Sequence, residues 1–375
     1  MAKIDELLKE LCPDGVEYVM LGKECIMKRG TSATKASLPE GDIPVISGGV
    51  QPSFYCNIAN RDGETITIAG SGASAGYVQY WNIPIFVCDA FSIKWEQNTR
   101  YLYFVLKKME EHIKATKKGA GVPHVQISCV DKFKIPVPPL PIQQHIVEVL
   151  DTFTDAISNL EEELALREKQ FEFYREQLFN FDEGEFEWKY IPELASYSTG
   201  LTYKPANVKD TGTLVLRSSN IKNNQLSFED NVYVQMNIPE RSKVQLHDIL
   251  ICVRNGSKNL VGKCAYISNL SSECAFGAFM NILRPYNINS KFLYYSWQLH
   301  STINQYKGDD ASPICQITNK DFARIRIKVP SEVRQQEIVE ILDTFEAMIA
   351  NIKEEIALRT KQYEHYREKL LSFGK

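Results

Sequence analysis

The chain has 375 residues, 44% of them apolar, with 43 Lys and Arg residues against 47 Asp and Glu residues. This length is sufficient for two ordinary hydrophobic cores, and the sequence contains no run of about 18 apolar residues that could cross a membrane. The charged N-terminus lacks the apolar stretch of a signal peptide, and the nine cysteines form no CxxC pair and no zinc-spaced cluster, so we expect a cytoplasmic protein with reduced thiols, no metal site and no contact with a membrane.

The first 142 residues predict a mixed α/β domain. Short β-branched runs at residues 43–47 and 65–68 are typical of strands. A helix with basic and aromatic residues is predicted at residues 100–118, and a β-like run ends in proline at residues 137–138. Residues 1–142 are therefore the first predicted domain.

Residues 143–181 predict one long helix with a single apolar seam. The apolar residues follow steps of four and three, which is the heptad pattern of a coiled coil, and Arg167 interrupts the seam once. A stripe of this kind left in water forfeits roughly 1.5 to 3 kcal/mol for each large side chain, so the seam requires a partner. The predicted seam positions are Ile146, Leu150, Phe153, Ile157, Leu160, Leu164, Phe171, Tyr174 and Leu178.

The same helix recurs at residues 335–373 without a gap, and 24 of the 39 aligned positions are identical. The two copies are therefore expected to pack on each other as an antiparallel coiled coil with approximate two-fold symmetry. Arg359 interrupts the second seam where Arg167 interrupts the first, and both arginines are either aliphatic stems beside glutamates or pins of the helix register. The second seam is Ile338, Leu342, Phe345, Ile349, Ile352, Ile356, Tyr363, Tyr366 and Leu370.

The segment between the two helices predicts a second α/β domain that is faintly similar to the first. A helix is predicted at residues 291–307, in the place of the helix at residues 100–118. The matched segments are 17–18 with 187–188, 43–47 with 213–217, 65–68 with 249–252, and 126–128 with 316–318. The sequence thus predicts an α+β protein built by tandem duplication, with domains at residues 1–142 and 182–334 and spacer helices at residues 143–181 and 335–375.

The charge is distributed unevenly between these segments. The helix at residues 143–181 has a net charge of −6 and the helix at residues 335–373 one of −3, whereas the rest of the chain sums to +5. An acidic helix pair should stay away from a polyanion, while the domains could approach one.

Three phrases of the sequence are similar to those of one known family. KQFEFYREQL at residues 169–178 returns as KQYEHYREKL at residues 361–370, each helix begins QQxIVxxLDxF, and residues 7–22 read LLKELCPDGVEYVMLG. With these phrases the chain resembles the specificity subunits of type I restriction-modification systems.

The resemblance implies a non-catalytic subunit that recognises double-stranded DNA. Each domain would be a target recognition domain for one half of an asymmetric, split site. The helices would fix the gap between the half-sites and bind two methyltransferase subunits, which restriction and translocase subunits would join. This chain would bind no cofactor itself, because S-adenosylmethionine belongs to the methyltransferase subunits and ATP and magnesium to the restriction subunits.

Candidate DNA-contacting residues lie in polar or basic loops of both domains. Arginine can bind guanine and asparagine can bind adenine through two hydrogen bonds each, and a glycine-rich loop lets the backbone approach phosphate. The alternative for each is an ordinary polar turn or a solvated helix face. The candidates are Lys28, Arg29, Ser71, Ser74, Lys117 and Lys118 in the first domain, and Arg217, Asn220, Arg254, Asn255, Lys258 and Asn259 in the second.

Catalytic motifs are not found. Residues 70–75 imitate a dinucleotide fingerprint, but a strand-like run follows where a helix is required. Residues 256–263 imitate a phosphate loop with the wrong glycine spacing, and Cys264 stands where Ser or Thr should bind magnesium. A self-contained DNA-modifying enzyme is therefore disfavoured. The remaining alternative is a coiled-coil scaffold that binds only protein partners.

Overall fold

The structure is a computed structural model that describes residues 2–119, 121–270, 272–306 and 316–373. Its contacts divide the chain into two units, one of Met1–Glu162 with Glu354–Lys375 and the other of Glu163–Lys353. Each unit therefore combines one globular domain with the beginning of one long helix and the end of the other. The four sequence segments, 1–142, 143–181, 182–334 and 335–375, remain a prediction about the repeat.

The first unit contains two sheets, a two-stranded ribbon and the beginning of a long helix. Its elements up to that helix are α1 (Ala2–Leu11), β1 (Glu17–Met20), α2 (Leu21–Glu24), β2 (Ile26–Arg29), β3 (Ile43–Ile46), β4 (Phe54–Cys56), β5 (Thr65–Ala69), β6 (Val78–Trp81), β7 (Phe86–Val87), β8 (Ala90–Lys94), α3 (Thr99–Lys108), α4 (Glu110–Ala115), α5 (Ile127–Val130), β9 (Lys134–Val137) and α6 (Leu140–Leu178). The four-stranded antiparallel sheet has the order β2-β8-β5-β6, and the three-stranded sheet has the order β4-β3-β7, in which β3 and β7 are parallel. The ribbon β1-β9 precedes the long helix α6.

The second unit repeats this topology with one additional edge strand. Its elements are β10 (Phe186–Tyr190), α7 (Ile191–Leu194), β11 (Ala195–Thr199), β12 (Val208–Lys209), β13 (Thr213–Leu216), β14 (Ile221–Lys222), β15 (Gln225–Leu226), β16 (Tyr233–Val234), β17 (Ile249–Cys252), β18 (Cys264–Tyr266), β19 (Cys274–Phe276), β20 (Met280–Pro285), α8 (Ser290–Trp297), α9 (His300–Tyr306), α10 (Asn319–Phe322), β21 (Arg326–Pro330) and α11 (Glu332–Leu370). The antiparallel sheet has the order β11-β20-β17-β18, the mixed sheet has the order β12-β16-β13-β19 with β12 as the additional strand, and the ribbon is β10-β21.

The hairpin β14-β15 of the second unit has no counterpart among the described residues of the first unit. Asn223 and Asn224 form its two-residue turn with φ angles of 49° and 59°. Asparagine tolerates this left-handed region, which a type I′ turn requires at both central positions.

The predicted strands are present, but two of the predicted matches between the domains are displaced. The amide of Gly76 donates to the carbonyl of Ala69 at 2.8 Å, and that of Gly262 donates to Cys252 at 2.8 Å, so Cys252 corresponds to Ala69 rather than to Ile68. The helices α5 and α10 begin after Gln126 and Thr318, so residues 126–128 match 318–320 and not 316–318. Faint sequence similarity could not fix either register.

Each helix that was predicted between strands is divided in two. Residues 100–118 contain α3 and α4, which meet at Met109, and residues 291–306 contain α8 and α9. The predicted end at Lys307 lies outside the described residues. The break in the first domain buries the Glu110 carboxylate, which accepts a hydrogen bond from the amide of Val78 at 3.0 Å.

The two long helices begin alike. Gln143 in α6 and Gln335 in α11 are buried, and their side-chain amides donate to the carbonyls of Pro138 at 2.8 Å and Pro330 at 2.9 Å. Each glutamine thereby holds the first turn of its helix to the proline that precedes it. Both helices start three residues before the sequence repeat, at Leu140 and Glu332. No helix in the described ranges is long and apolar enough to span a bilayer.

The helices pair antiparallel in both units. In the first unit, the ring of Phe153 near the start of α6 stacks on Tyr366 near the end of α11, with centroids 5.1 Å apart. In the second unit, Tyr174 near the end of α6 stacks on Phe345 near the start of α11 at 5.4 Å. These are equivalent positions of the two sequence copies. The predicted antiparallel coiled coil is therefore confirmed.

The predicted seam residues are most deeply buried where the helices meet the globular domains. Ile146, Leu150 and Leu370 are buried in the first unit, and Ile338 and Leu342 in the second. The other seam positions are partly buried, except Tyr174, which is 40% exposed. Along the helix pair the seam therefore becomes shallower away from each domain.

The arginines that interrupt the seams bind glutamates of their own helices. Nη2 of Arg167 lies 3.4 Å from Oε1 of Glu163. Nε of Arg359 lies 2.7 Å from Oε1 of Glu355. Both side chains remain about two-fifths exposed, at 40% and 44%. This geometry matches the simpler interpretation of an aliphatic stem beside a glutamate.

Each domain core is completed by the end of the helix that belongs to the other copy. Leu370, Leu371 and Phe373 are buried in the core of the first unit. Phe179 and Phe181 are buried in the core of the second unit, next to Ile338 and its neighbours on α11. The phrases at the ends of the two repeats are therefore core residues as well as helix ends.

Gly200 marks a point where two backbones of the second unit approach closely. A Cβ atom on Gly200 would lie 2.3 Å from the carbonyl oxygen of Gly277 and 2.4 Å from that of Phe276. We expect Gly200→Ala to lower the free energy of unfolding of this unit by about 1 to 3 kcal/mol, because the strands must separate. Gly256→Ala is the matched control, since its Cβ would have no atom within 4 Å. Equal urea midpoints for both variants would contradict this expectation.

Glu346 gives the second unit a pH dependence that can be measured. Burial raises the pKa of its carboxyl, Asp343 raises it further, and a hydrogen bond with Tyr295 acts in the opposite direction. Because the folded state holds this proton more tightly than the unfolded chain, the stabilisation is present at low pH and is lost as pH rises through the folded pKa. We expect the free energy of unfolding of Glu346→Gln, relative to that of the unmodified chain, to be higher at about pH 8 than at pH 4.5. Urea unfolding at both pH values measures this difference. A difference independent of pH would contradict it.

Candidate nucleic-acid interfaces of the two domains

In the second domain, Arg217 is presented by a tight turn at the end of β13. Buried Asn220 holds this turn, since its side-chain oxygen accepts from the Arg217 amide at 2.9 Å and its Nδ2 donates to the carbonyls of Ser227 and Asp230 at 3.0 and 3.2 Å. The guanidinium of Arg217 lies 2.8 Å from the Asp230 carboxylate. The amide of Asn220 is thus occupied within the turn, whereas Arg217 is oriented at the surface.

The second predicted loop of this domain lies beside the first. Arg254 follows β17, and its guanidinium carbon lies 5.3 Å from the ring centroid of Phe279. Asn255 joins the loops, because its Nδ2 donates to the hydroxyl of Ser218 at 3.1 Å. Lys258 and Asn259 are exposed farther along the same loop.

Lys263 supports the turn that presents Arg217. Its ammonium donates to the carbonyl of Ile221 at 3.0 Å and also to the carbonyl of Ser218. Burial lowers the pKa of Lys263, while the nearby Cys252 raises it. By binding these two backbone carbonyls, the lysine stabilises the turn.

A cleft of about 490 Å³ opens next to these loops. Phe279 is 58% exposed there, beside Arg254. The lining residues include Tyr203, Arg217, Asp230 and Phe279. The cleft thus offers hydrogen-bond donors, one carboxylate and aromatic faces.

The first domain has a cleft of about 580 Å³ at the corresponding strand ends. Arg29 lines it, whereas neighbouring Lys28 lies on the opposite face of β2, because side chains alternate along a strand. Other lining residues are Ser47, Gly70, Asp89, His124 and Gln126. Arg61 holds the edge of this cleft by donating to the carbonyl of Arg29 at 2.7 Å.

The structure brings four further candidates close to this cleft. Ser71 pairs with His124 along the backbone, and its hydroxyl donates to the Asp89 carboxylate. Lys118 also pairs with His124, and the ammonium of Lys117 donates to the carbonyl of Ala73 at 3.2 Å. Ser74 is half-buried in the same loop, where its carbonyl accepts from Tyr77 at 2.9 Å.

Several residues of the two clefts were missed by the sequence analysis. Asp89, Asp230, Phe279, Tyr203 and His124 lie beside predicted residues only because strands distant in sequence end at the same place. Their local sequences carry no periodic or motif signal. Only the strand pairing could have indicated them.

Two homologous α/β domains with polar clefts at corresponding strand ends, joined by a repeated helix pair, define a duplicated two-domain protein. The model of the type I restriction modification DNA specificity domain matches residues 13–167 and again residues 183–358. The chain therefore belongs to the type I restriction modification DNA specificity family.

Curated relatives agree with this family. The chain is 32% identical over 267 residues to the EcoR124I/EcoR124II specificity subunit of Escherichia coli, a match that covers 66% of this chain and 65% of the relative. It is 30% identical over 184 residues to the StySPI specificity subunit of Salmonella potsdam, covering 46% of this chain and 39% of that one. The chain thus matches less than two thirds of the length of these two relatives.

Solved structures share the fold. The specificity subunit of a type I restriction-modification system from M. genitalium superposes with a TM-score of 0.66 at 20% identity, over 96% of this chain and 97% of that one. A structure of a type I system studied for its assembly and conformational transition gives a TM-score of 0.58 at 18% identity, with the same coverage. At these identities the likeness concerns the fold alone.

Proposed function

We propose that this chain is the DNA sequence-recognition subunit of a cytoplasmic type I restriction-modification complex. Each domain binds one half of an asymmetric, split site in double-stranded DNA, and the chain performs no catalysis itself. The helices hold the gap between the half-sites constant and bind two methyltransferase subunits, which restriction and translocase subunits join.

One observation carries this proposal. The two domains share the strand order of their four-stranded antiparallel sheets and the position of their clefts, yet the clefts differ in chemistry, with Asp89 and His124 in the first and Arg217 and Phe279 in the second. The helices, in contrast, are identical at 24 of 39 aligned positions. Two clefts of different chemistry at the same place in a shared fold are suited to two different base sequences of DNA, because bases are distinguished by their patterns of hydrogen-bond donors and acceptors.

The contact set that we propose follows the geometry. Arg29, Ser71, Arg217, Arg254 and Asn255 lie in or beside the clefts and are proposed base or backbone contacts. The lysines and the other loop residues are proposed phosphate contacts, which position the DNA without specifying its sequence. They are Lys28, Ser74, Lys117, Lys118, Lys258 and Asn259. We do not propose Asn220 as a DNA contact, because its side-chain amide is hydrogen-bonded to the backbone around the turn that presents Arg217.

Partner binding to the helices is supported by apolar side chains that the coiled coil leaves exposed. Leu166 in α6 is 65% exposed, and its equivalent in α11, Leu358, is 49% exposed. Two identical exposed positions, one on each copy, suit two copies of the same subunit. S-adenosylmethionine on those subunits and ATP with magnesium on the restriction subunits remain outside this chain.

The proposal is tested by mapping methylated bases in the source genome. We expect single-molecule sequencing, with and without this gene, to show one split motif with a constant gap whose methylation depends on the gene. Restoring the gene on a plasmid should restore the same motif. Unchanged methylation in a strain with active partner genes would reject the proposal and favour the coiled-coil scaffold.

A further inference from the structure

The residue that follows β5 in the first domain and the residue that follows β17 in the second occupy the same backbone position. In the first domain, the amide of Gly70 donates to the carbonyl of Asp89 at 3.2 Å. In the second, the amide of Val253 donates to the carbonyl of Phe279 at 3.0 Å. Asp89 and Phe279 are therefore equivalent.

A second strand fixes the same register. The carbonyl of Gly70 accepts from Val125 at 3.0 Å, and that of Val253 accepts from Ile317 at 2.9 Å. The next residues, Ser71 and Arg254, then bridge to His124 and Gln316. Ser71 and Arg254 are therefore equivalent as well, although eight residues lie between β5 and β6 and eleven lie between β17 and β18.

In each domain the side chains at these two positions contact each other. The hydroxyl of Ser71 donates to the carboxylate of Asp89. The guanidinium of Arg254 lies over the ring of Phe279, 5.3 Å from its centroid. Asp89 and Arg254 are exposed, and Phe279 is 58% exposed, so neither pair is required to fill a core.

The two pairs have opposite hydrogen-bonding character. The hydroxyl proton of Ser71 is engaged in the hydrogen bond to Asp89, so the pair presents mainly acceptor lone pairs to solvent. Arg254 presents only donors, and the ring of Phe279 restricts the orientations of the guanidinium. In the major groove, exocyclic amino groups of cytosine and adenine are donors, whereas O6 and N7 of guanine accept a bidentate arginine.

Resting on the proposed function, we propose that these two equivalent positions form the base-selecting pair of each domain. Ser71 with Asp89 selects a base that offers an exocyclic amino group, and Arg254 with Phe279 selects guanine. The acidic pair is poorly suited to phosphate, since a carboxylate and a phosphate repel each other, and this directs Asp89 to a base edge.

The decisive experiment transfers the pair of the second domain to the first. The full complex carrying Ser71→Arg with Asp89→Phe is expressed in the source strain without its own copy of the gene, and methylated bases are mapped. We expect one base of one half-site to change from cytosine or adenine to guanine, while the other half-site and the gap stay unchanged. The unmodified gene identifies which of the two bases is read.

The outcomes distinguish a failure of the proposed base-selecting pair from a failure of the proposed function. An unchanged split motif in the double variant overturns the pair and leaves the recognition function intact. If the unmodified gene restores no split motif, the recognition function itself fails.

A conservative variant covers the case in which the double variant does not fold. Asp89→Asn keeps the size of the side chain and adds a donor, so it should relax discrimination at the same base by about tenfold to hundredfold, as measured by the methylation rates of single-base site variants. Asp14→Asn, an exposed aspartate that does not line the cleft, is the matched control. Equal discrimination by both variants overturns the proposal.

Discussion

Replacing Phe373 with alanine is expected to destabilise the first unit by about 3 to 5 kcal/mol, although this residue follows the last helix of the chain. Phe373 is only 8% exposed and belongs to the core of the first domain. The tail is also held by polar contacts, since the Lys108 ammonium donates to the hydroxyl of Ser372 at 2.7 Å. Removing the ring would leave a cavity that strands and helices from the first 150 residues cannot fill.

Hydrogen exchange localises this effect. Protection should fall in β5 and β8 of the first unit and stay unchanged in β17 and β20 of the second. Phe181→Ala is the matched variant, since Phe181 is the equivalent residue, is also 8% exposed and belongs to the second core, so the pattern should reverse. Phe173→Ala, at a position 60% exposed, should change neither unit. Loss of protection at the end of α11 alone would contradict the expected result.

The dependence of each domain on the other copy's helix limits what the sequence can predict. The heptad pattern correctly predicted that Ile146 and Leu150 are buried, because their period is local and is repeated in the second copy. The same pattern placed Phe181 and Phe373 at the ends of the helices without indicating that they enter domain cores. Their contacts join residues far apart in sequence, which no local period encodes.

The candidate sites show the same division between local and distant information. Arg254 and Ser71 could be proposed from their loops, because arginine, serine and glycine after a strand are visible in the sequence. Their partners Phe279 and Asp89 could not, since strand pairing alone brings those residues to the loops. Asn220 illustrates the opposite case. The Asn220 side chain, which the sequence suggested as a base contact, is instead occupied by hydrogen bonds to the backbone of Arg217, Ser227 and Asp230.

Arg254→Ala is expected to remove about 1 to 3 kcal/mol of discrimination at one base of the half-site bound by the second domain. The guanidinium is exposed and is oriented by Phe279, so little conformational freedom is lost when it forms two parallel hydrogen bonds. Competition binding by the assembled complex, with duplexes in which each base of the site is varied singly, measures this discrimination.

Two further variants distinguish a base contact from a phosphate contact at Arg254. Arg254→Lys keeps the charge but loses the planar pair of donors, so it should retain most of the salt dependence of binding while still losing discrimination at the same base. Lys258→Ala, four residues along the same exposed loop, should instead weaken binding to all sequences alike and lower the salt slope by about one. If Arg254→Ala behaves as Lys258→Ala, the guanidinium contacts a phosphate and the ring of Phe279 serves to hold it there.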